Sequence, residues 1–406
     1  MNVNRDRSID YFRAFLMLLV VWHHATLAYS ITGSGVLITD SDKFAGFVLI
    51  ALYNDSFFMF SFFFVSGLFS YKALLKKGAV EYLEERLLRL MLPFAFGTLF
   101  INPVAHYFSF IKRENTVFSM TGYIRYLVEN FGRTEANHLW FLWVLFLFSI
   151  ILVLYERSKR LMNLDFRVNQ EKYVANAYRF TIIMLAAGLI LFLPLRNIAE
   201  GGFATLIKPF NMQVSRILLY FLYFAAGNVI GMYGMKNSFL YHDKFRNKWW
   251  IFLLLSFGFT GLNIVIHVFG ETMSDGLFKS IVLIVEQSMI VVISLLSLYG
   301  FMSLFTSYIK GNSIIMNVLA DEAMGIYVIH YAVVTVIQYV VSFVVFSAIA
   351  KGVFSASVTI IISLVLVKLL KKVPVIGTIF GKACEPAYRK ALIVMTLIMV
   401  FLLMYL

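Results

Sequence analysis

The stretch from Asp10 to Ile31 reads DYFRAFLMLLVVWHHATLAYSI, and it is the most informative apolar run of this chain. It is long and apolar enough to cross a bilayer, yet it contains an acid, an arginine and two adjacent histidines. Charged residues inside a membrane cost about 2.5–3.5 kcal/mol each on insertion scales, so they face a protein interior or a water-filled cavity. The stretch therefore predicts a transmembrane helix that carries a functional site.

Helix geometry predicts which of these ionisable groups act together. Arg13 and His24 are eleven positions apart, which places them within about 20° of each other and about 16 Å apart along the helix axis. Asp10 lies on the same stripe, whereas His23 is rotated by about 100° and is expected to point elsewhere. His24 is therefore the preferred candidate for chemistry. The alternative is that both histidines only make hydrogen bonds to neighbouring helices.

The composition predicts an all-α polytopic membrane protein with about ten to eleven transmembrane helices. Of the 406 residues, 61% are hydrophobic and only 14% are charged, and apolar runs of about 16–25 residues alternate with short charged loops. The net charge of +13 is concentrated in loops on the side of the N-terminus, which predicts a cytoplasmic N-terminus. This basic side suits anionic lipids or an anionic cofactor rather than nucleic acid. Cys384 is the only cysteine, which excludes an intramolecular disulfide, and without a metal motif we expect no metal.

Three further ionisable residues interrupt apolar runs. The second run, from about 44 to 71, exceeds one straight span, so a tilt is expected, or a break near Asn54 and Asp55. Asp55 would then either cap a helix at that break or take part in catalysis. In the eighth run, Glu286 must be neutral, paired or in a wet cavity, and His330 lies near the middle of the ninth. A last run, 391–406, predicts an eleventh helix that is short for a full crossing.

The basic loop 72–90, KALLKKGAVEYLEERLLRL, has an apolar face beside a charged face and predicts an interfacial helix that runs into the third span. Arg86 and Arg89 are neighbours on one face of that helix and form a fork suited to phosphate. The alternative is a surface ion pair between Arg89 and Glu85, four residues apart.

Several motifs together resemble the membrane-bound acyltransferase-3 family. They are Arg13 and His24 with ten residues between them, FFFVSGLFS, Arg86-x-x-Arg89 before a span, and the late GIYVIHY. Within that family, FVSGLF, ERLLRLMLPF and LWFLWVLF are most similar to the glucan biosynthesis protein C type. The resemblance covers about Asp10 to Leu370, so we expect an acyltransferase domain over 1–370. A basic cytoplasmic loop and an additional helix follow over 371–406.

The resemblance implies a function and roles for four residues. Members of the family transfer acetyl, succinyl or similar groups from cytoplasmic acyl-CoA to glycans or other envelope acceptors. The resemblance implies that this protein lies in the cytoplasmic membrane of a bacterium. By the resemblance, His24 is catalytic, Arg13 supports it, and Arg86 and Arg89 serve acyl-CoA. Acyl-CoA is then the donor substrate, the glycan is the acceptor, and membrane lipids surround the protein.

A histidine that acts as a base needs a group that orients it. With the N-terminus inside, His24 lies in the outer half, and Glu286 lies about 9 Å below the outer end of its helix, at a similar depth. Glu286 is the first candidate for this partner, and Asp55 is the second. An alternative function is a secondary transporter or saccharide flippase that uses the buried Asp, Glu and His residues as a proton relay.

Overall fold

The computed structural model describes residues 7–31, 36–133, 135–162, 174–198, 203–309 and 313–405. Within these ranges the chain forms eleven long helices and one β-hairpin. The helices are α1 (Ser8–Leu27), α2 (Gly46–Lys77), α3 (Ala79–Arg113), α4 (Asn137–Leu161), α5 (Ala177–Ile198), α6 (Val214–Tyr233), α7 (Trp249–Glu271), α8 (Leu277–Tyr308), α9 (Ile314–Val341), α10 (Ala348–Leu370) and α11 (Pro386–Tyr405). The hairpin consists of the antiparallel strands β1 (Phe203–Ile207) and β2 (Phe210–Gln213). Short helices span Met120–Glu129, Asp243–Arg246 and Pro374–Ile379.

The helices confirm the prediction of an all-α polytopic membrane protein. Ten of those in the described ranges, α2 to α11, are long and apolar enough to cross a membrane. Arg7, just before α1, donates a hydrogen bond to Asn317 near the start of α9 at 2.5 Å. Both helices therefore begin on the same side of the bundle, which we call the N-terminal side.

Helix α1 packs against several other helices, which explains its polar residues. It packs against α2, α8, α9 and α10, and the rings of Phe12 and Phe305 lie 5.5 Å apart in its contact with α8. A helix surrounded by other helices can carry ionisable groups that would be unstable against lipid. Helix α7 shows the opposite pattern, because only 11% of its most apolar stretch is buried against other helices.

Helix α2 is a single helix of 32 residues, so the break predicted near Asn54 and Asp55 is wrong. Asp55 lies inside the helix, not at an end, and the proposed capping role is wrong as well. Its carboxylate forms an ion pair with Arg216 of the neighbouring helix α6. At 1.5 Å per residue the helix is about 48 Å long, so its ends extend beyond the hydrocarbon core.

Glycines bring α2 and α6 into backbone contact. A Cβ atom placed on Gly227 would lie 2.1 Å from the carbonyl oxygen of Phe64, and one placed on Gly67 would lie 2.2 Å from that of Phe224. Small residues at such an interface let two membrane helices approach closely. This contact fixes the position of Asp55 on α2 relative to Arg216 on α6.

The predicted interfacial helix is the beginning of α3. Gly78, with φ at +78°, separates it from α2, and α3 contains π-helical turns at Leu87–Met91 and Gly97–Ile101. The last apolar run forms α11, whose Arg389 makes a 2.9 Å ion pair with Glu84 on α3. An ion pair thus joins the additional helix to the beginning of α3.

Candidate active site

A cavity of about 560 Å³ lies at the end of α1 remote from the N-terminal side. Its walls come from α1, α2, α4, α6, α9 and the β-hairpin. Several of its lining residues are polar or ionisable. They are His23, His24, Asp55, Glu135, Asn137, His138, Asn211 and Gln213. The other walls are apolar or aromatic, among them Trp140, Tyr220 and Tyr331.

Four histidines meet beside this cavity. His23 and His24 come from the last turns of α1, His138 from the first turn of α4 and His330 from α9. The ring centre of His24 lies 5.4 Å from that of His330 and 6.2 Å from that of His138, and the rings of His138 and His330 are 4.6 Å apart. His330 is fully buried and lies behind the lining residues. In the described ranges, no three His, Cys, Asp or Glu residues are arranged to hold a metal ion.

The backbone carbonyl of Tyr327 fixes the protons of two of these histidines. His138 donates from Nε2 and His330 donates from Nδ1 to this oxygen, both at 2.8 Å. A carbonyl oxygen only accepts, so His138 carries its proton on Nε2 and His330 carries its proton on Nδ1. The hydroxyl of Tyr327 in turn donates to the carbonyl of His138. The tautomers therefore leave His138 Nδ1 and His330 Nε2 as lone-pair acceptors.

Asp55 places a carboxylate on the cavity wall, and Arg216 supports it from behind. Arg216 donates to a carboxylate oxygen of Asp55 at 2.8 Å and to its backbone carbonyl at 3.0 Å. The side chain of Asp55 is 44% exposed, whereas that of Arg216 is 12% exposed. Because Arg216 is held at two points, Asp55 has a fixed position facing the cavity.

The β-hairpin supplies amide groups to the rim of the cavity. The indole of Trp143 donates to the carbonyl of Asn211 at 2.8 Å, and the rings of Trp140 and Phe203 lie 5.6 Å apart. Asn211 is buried, and its side-chain oxygen has no hydrogen-bond partner. Gln213 accepts from the hydroxyl of Tyr220 at 2.7 Å. The rim thus offers donors and acceptors beside aromatic faces.

The structure places His24 on the cavity wall, and His23 lies there too. The expectation that His23 points away from the cavity is wrong, because the cavity extends between α1 and α2. The rotation of about 100° relative to His24 turns His23 towards α2, where its ring centre lies 5.4 Å from that of Phe58. Arg13 and Asp10 pair with each other at 3.5 Å near the N-terminal side. Arg13 is about 16 Å from His24 along the axis, so it cannot contact the histidine directly.

Glu286 does not line the cavity. It pairs with His267 of α7 at 3.1 Å, and Asn263 of α7 donates to its backbone carbonyl at 2.7 Å. A similar height in the membrane does not by itself bring two residues on different helices together. The part of α8 that holds Glu286 packs against α7, and α8 contacts α1 through Phe301 and Phe305. The structure therefore brings Asp55, and not Glu286, to the cavity of His24.

Arg86 and Arg89 lie near the start of α3 on the N-terminal side. Arg89 pairs with Glu85 at 3.3 Å, as the surface alternative predicted, and its side chain is 65% exposed. Arg86 donates to the hydroxyl of Ser70 at 2.9 Å and lies 5.0 Å from the ring centre of Tyr82. The structure thus holds Arg86 against the bundle and leaves Arg89 towards solvent.

Three parts of the site are not predicted from the sequence, namely His138, Arg216 and the β-hairpin. His138 begins an apolar run at the membrane boundary that His24 also approaches, and this shared depth was a usable signal. Arg216 lay just before the sixth apolar run, where a cation is common, so its pairing with Asp55 was not readable from the sequence.

The fold and the cavity define a multi-pass helical membrane protein with a histidine-lined chamber on one side. Residues 6–368 match the family described as "Acyltransferase domain". The chain therefore belongs to the acyltransferase-3 family and is a membrane-bound acyltransferase. Helix α11 lies beyond the matched residues. No curated protein and no solved structure matches the chain.

Proposed function

We propose that this acyltransferase moves an acetyl, succinyl or similar group from cytoplasmic acyl-CoA to a hydroxyl group of a glycan or another envelope acceptor. The observation that carries the proposal is the cavity in which His24 stands among carboxylates, amides and aromatic rings. A neutral imidazole at such a position is suited to take the proton of a hydroxyl group.

The transfer needs a base that removes a proton from the acceptor. Nε2 of His24 takes the proton of the acceptor hydroxyl group, and the oxygen of that hydroxyl group attacks the thioester carbonyl carbon. The carbon–sulfur bond then breaks, and the proton passes from the imidazolium to the departing thiolate. The products are the acyl ester of the acceptor and free coenzyme A.

The lining of the cavity supports a hydroxyl-rich acceptor. Asp55 and Glu135 present acceptor oxygens, Asn211 presents a buried amide oxygen without a partner, and Trp140 presents an aromatic face. Sugars combine hydroxyl groups with apolar ring faces, so they fit such a mixture of hydrogen-bonding and aromatic groups.

The donor is proposed to bind on the N-terminal side, and the excess of Lys and Arg in the loops of this side supports a cytoplasmic location for it. Arg89 is exposed there and Arg86 is held beside it, and guanidinium groups bind phosphates well. Leu16 and Met17 are buried on α1 between this side and the cavity. The thin arm of coenzyme A therefore requires the helices around these residues to separate before the thioester reaches His24.

The proposal includes the particular kind of enzyme and its location. The motifs FVSGLF, ERLLRLMLPF and LWFLWVLF support a glucan-modifying enzyme of the glucan biosynthesis protein C type. Such an enzyme acts in the cytoplasmic membrane of a bacterium. Mass spectrometry of envelope glycans from a deletion strain identifies the acyl group and the acceptor.

The test measures release of free coenzyme A by detergent-purified protein with acyl-CoA and an acceptor glucan. His24→Ala should reduce transfer by about 10²–10⁴-fold, the usual contribution of a general base. His23→Ala should lose far less, and His267→Ala, remote from the cavity, serves as the matched control. Equal losses for His23→Ala and His24→Ala at normal expression would remove the assignment. Saccharide transport without acyl transfer would support the transporter instead.

A further inference from the structure

The cavity does not provide His24 with a carboxylate partner. Glu286 is paired with His267, and the carboxylate of Asp55 is paired with Arg216. The Nδ1 atom of His24 is nevertheless buried and has no hydrogen-bond partner. A buried polar nitrogen without a partner is costly, so a nearby group is expected to satisfy it in the working enzyme.

His330 offers the matching atom. Its Nδ1–H donates to the carbonyl of Tyr327 at 2.8 Å, so its Nε2 holds a lone pair, and that Nε2 is also buried without a partner. Two unsatisfied nitrogens thus lie on adjacent rings. The proton assignment of His330 makes it the acceptor, and His24 must therefore donate from Nδ1.

The distance between the two rings suits such a bond. A linear N–H···N bond of about 2.9 Å between two imidazoles requires ring centres about 5 Å apart, and those of His24 and His330 are 5.4 Å apart. Small rotations of the His24 ring are inexpensive, because the histidine χ2 angle has broad minima. The Nδ1 of His138 is also a buried acceptor without a partner, but its ring centre lies 6.2 Å from that of His24, about 1 Å beyond the separation that such a bond requires.

We propose that His330 is a positioning residue that accepts a hydrogen bond from Nδ1–H of His24 and so directs the Nε2 lone pair of His24 into the cavity. A series of hydrogen bonds then runs from the Tyr327 carbonyl through His330 and His24 to the acceptor hydroxyl. When His24 takes the proton of the acceptor, its Nδ1–H still donates to His330, which steadies the imidazolium. This role rests on the proposed acyl transfer, and it uses a neutral histidine where many hydrolases use a carboxylate.

Two substitutions at His330 separate a hydrogen-bonding role from a packing role. His330→Gln places an amide oxygen near the position of Nε2 and keeps an acceptor for His24, whereas His330→Leu removes it at similar volume. We expect His330→Leu to lower kcat by about 10-fold or more, part of the 10²–10⁴ of a general base. KM for acyl-CoA should stay near the wild-type value. His330→Gln should recover much of kcat, and His267→Gln is the matched control.

The pattern of activities decides between the two roles. Equal kcat loss in both variants, or wild-type kcat in His330→Leu, overturns the proposal, with thermal unfolding confirming that each variant is folded. A loss that appears only in KM for acyl-CoA also contradicts it, because a positioning residue acts on the chemical step.

A spectroscopic test does not depend on activity. In protein labelled with ¹⁵N-histidine, the side-chain ¹⁵N shifts of His24, assigned by their loss in His24→Gln, should report a proton on Nδ1. The proton should move towards Nε2 in His330→Leu. A wild-type His24 that carries its proton mainly on Nε2 would refute the proposal even if acyl transfer is observed. Absence of acyl transfer by the wild-type protein would instead refute the proposed function and leave the tautomer measurement to decide the role of His330.

Discussion

Removing Asp55 should lower the free energy of unfolding much more than removing its ion-pair partner Arg216. Arg216 is 12% exposed, and Asp55 is 44% exposed. Asp55→Leu leaves a guanidinium in an enclosed place without a carboxylate partner, with only neutral groups beside it, the backbone carbonyl of residue 55 and the hydroxyl of Tyr220. Removing one member of a buried pair costs about 3–5 kcal/mol, and we expect a loss near 3 kcal/mol.

The reverse substitution should be milder. Arg216→Met leaves a carboxylate that already faces the water of the cavity, so screening reduces the loss to about 1 kcal/mol. The double variant removes both charges, and apolar replacement of a buried pair is often close to neutral. It should therefore be within about 1 kcal/mol of the wild type, which gives a coupling of about 3–5 kcal/mol between the two positions.

The assay is unfolding of the purified protein in mixed micelles with increasing denaturing detergent, followed by tryptophan fluorescence. Asp275→Ala is the control, because Asp275 is 97% exposed in its pair with Lys279 and should cost less than about 0.5 kcal/mol. The reasoning is refuted if Asp55→Leu matches the wild type, or if the double variant is less stable than both single variants.

Three further predictions concern other parts of the molecule. Arg89→Ala should weaken binding of full-length acyl-CoA, measured by titration, but not of truncated thioesters without nucleotide phosphates, because the exposed Arg89 is proposed to bind phosphate. Equal weakening would contradict the phosphate role. Gly227→Ala should destabilise the protein by about 1–3 kcal/mol because its Cβ would meet the Phe64 backbone, whereas Gly258→Ala, with open space around it, should be neutral or stabilising in thermal unfolding. Lys351→Met should lower the free energy of unfolding by about 3 kcal/mol or more in the same assay, because it leaves the buried carboxylate of Asp40 without its ion-pair partner. A change below about 1 kcal/mol would be inconsistent with that burial.

Local sequence determined the fold class and the candidate base of this protein. Apolar runs of membrane-spanning length fix the helices, because a backbone inside lipid must satisfy its hydrogen bonds within each helix. The same rule made the histidines of α1 conspicuous, and the structure places His24 on the cavity wall. The run from 391 to 406 predicts a last helix for the same reason, and it lies in α11.

Only the tertiary structure decided which groups meet across helices. Sequence gives the height of a residue along its helix, but the neighbour of that helix depends on packing between distant segments. Glu286 has a suitable height and yet faces His267, whereas Asp55 finds Arg216 because glycines draw α2 and α6 together. The short distance between the His24 and His330 rings likewise depends on the contact between α1 and α9. Such lateral contacts result from side-chain packing over the whole bundle, and no local sequence pattern encodes them.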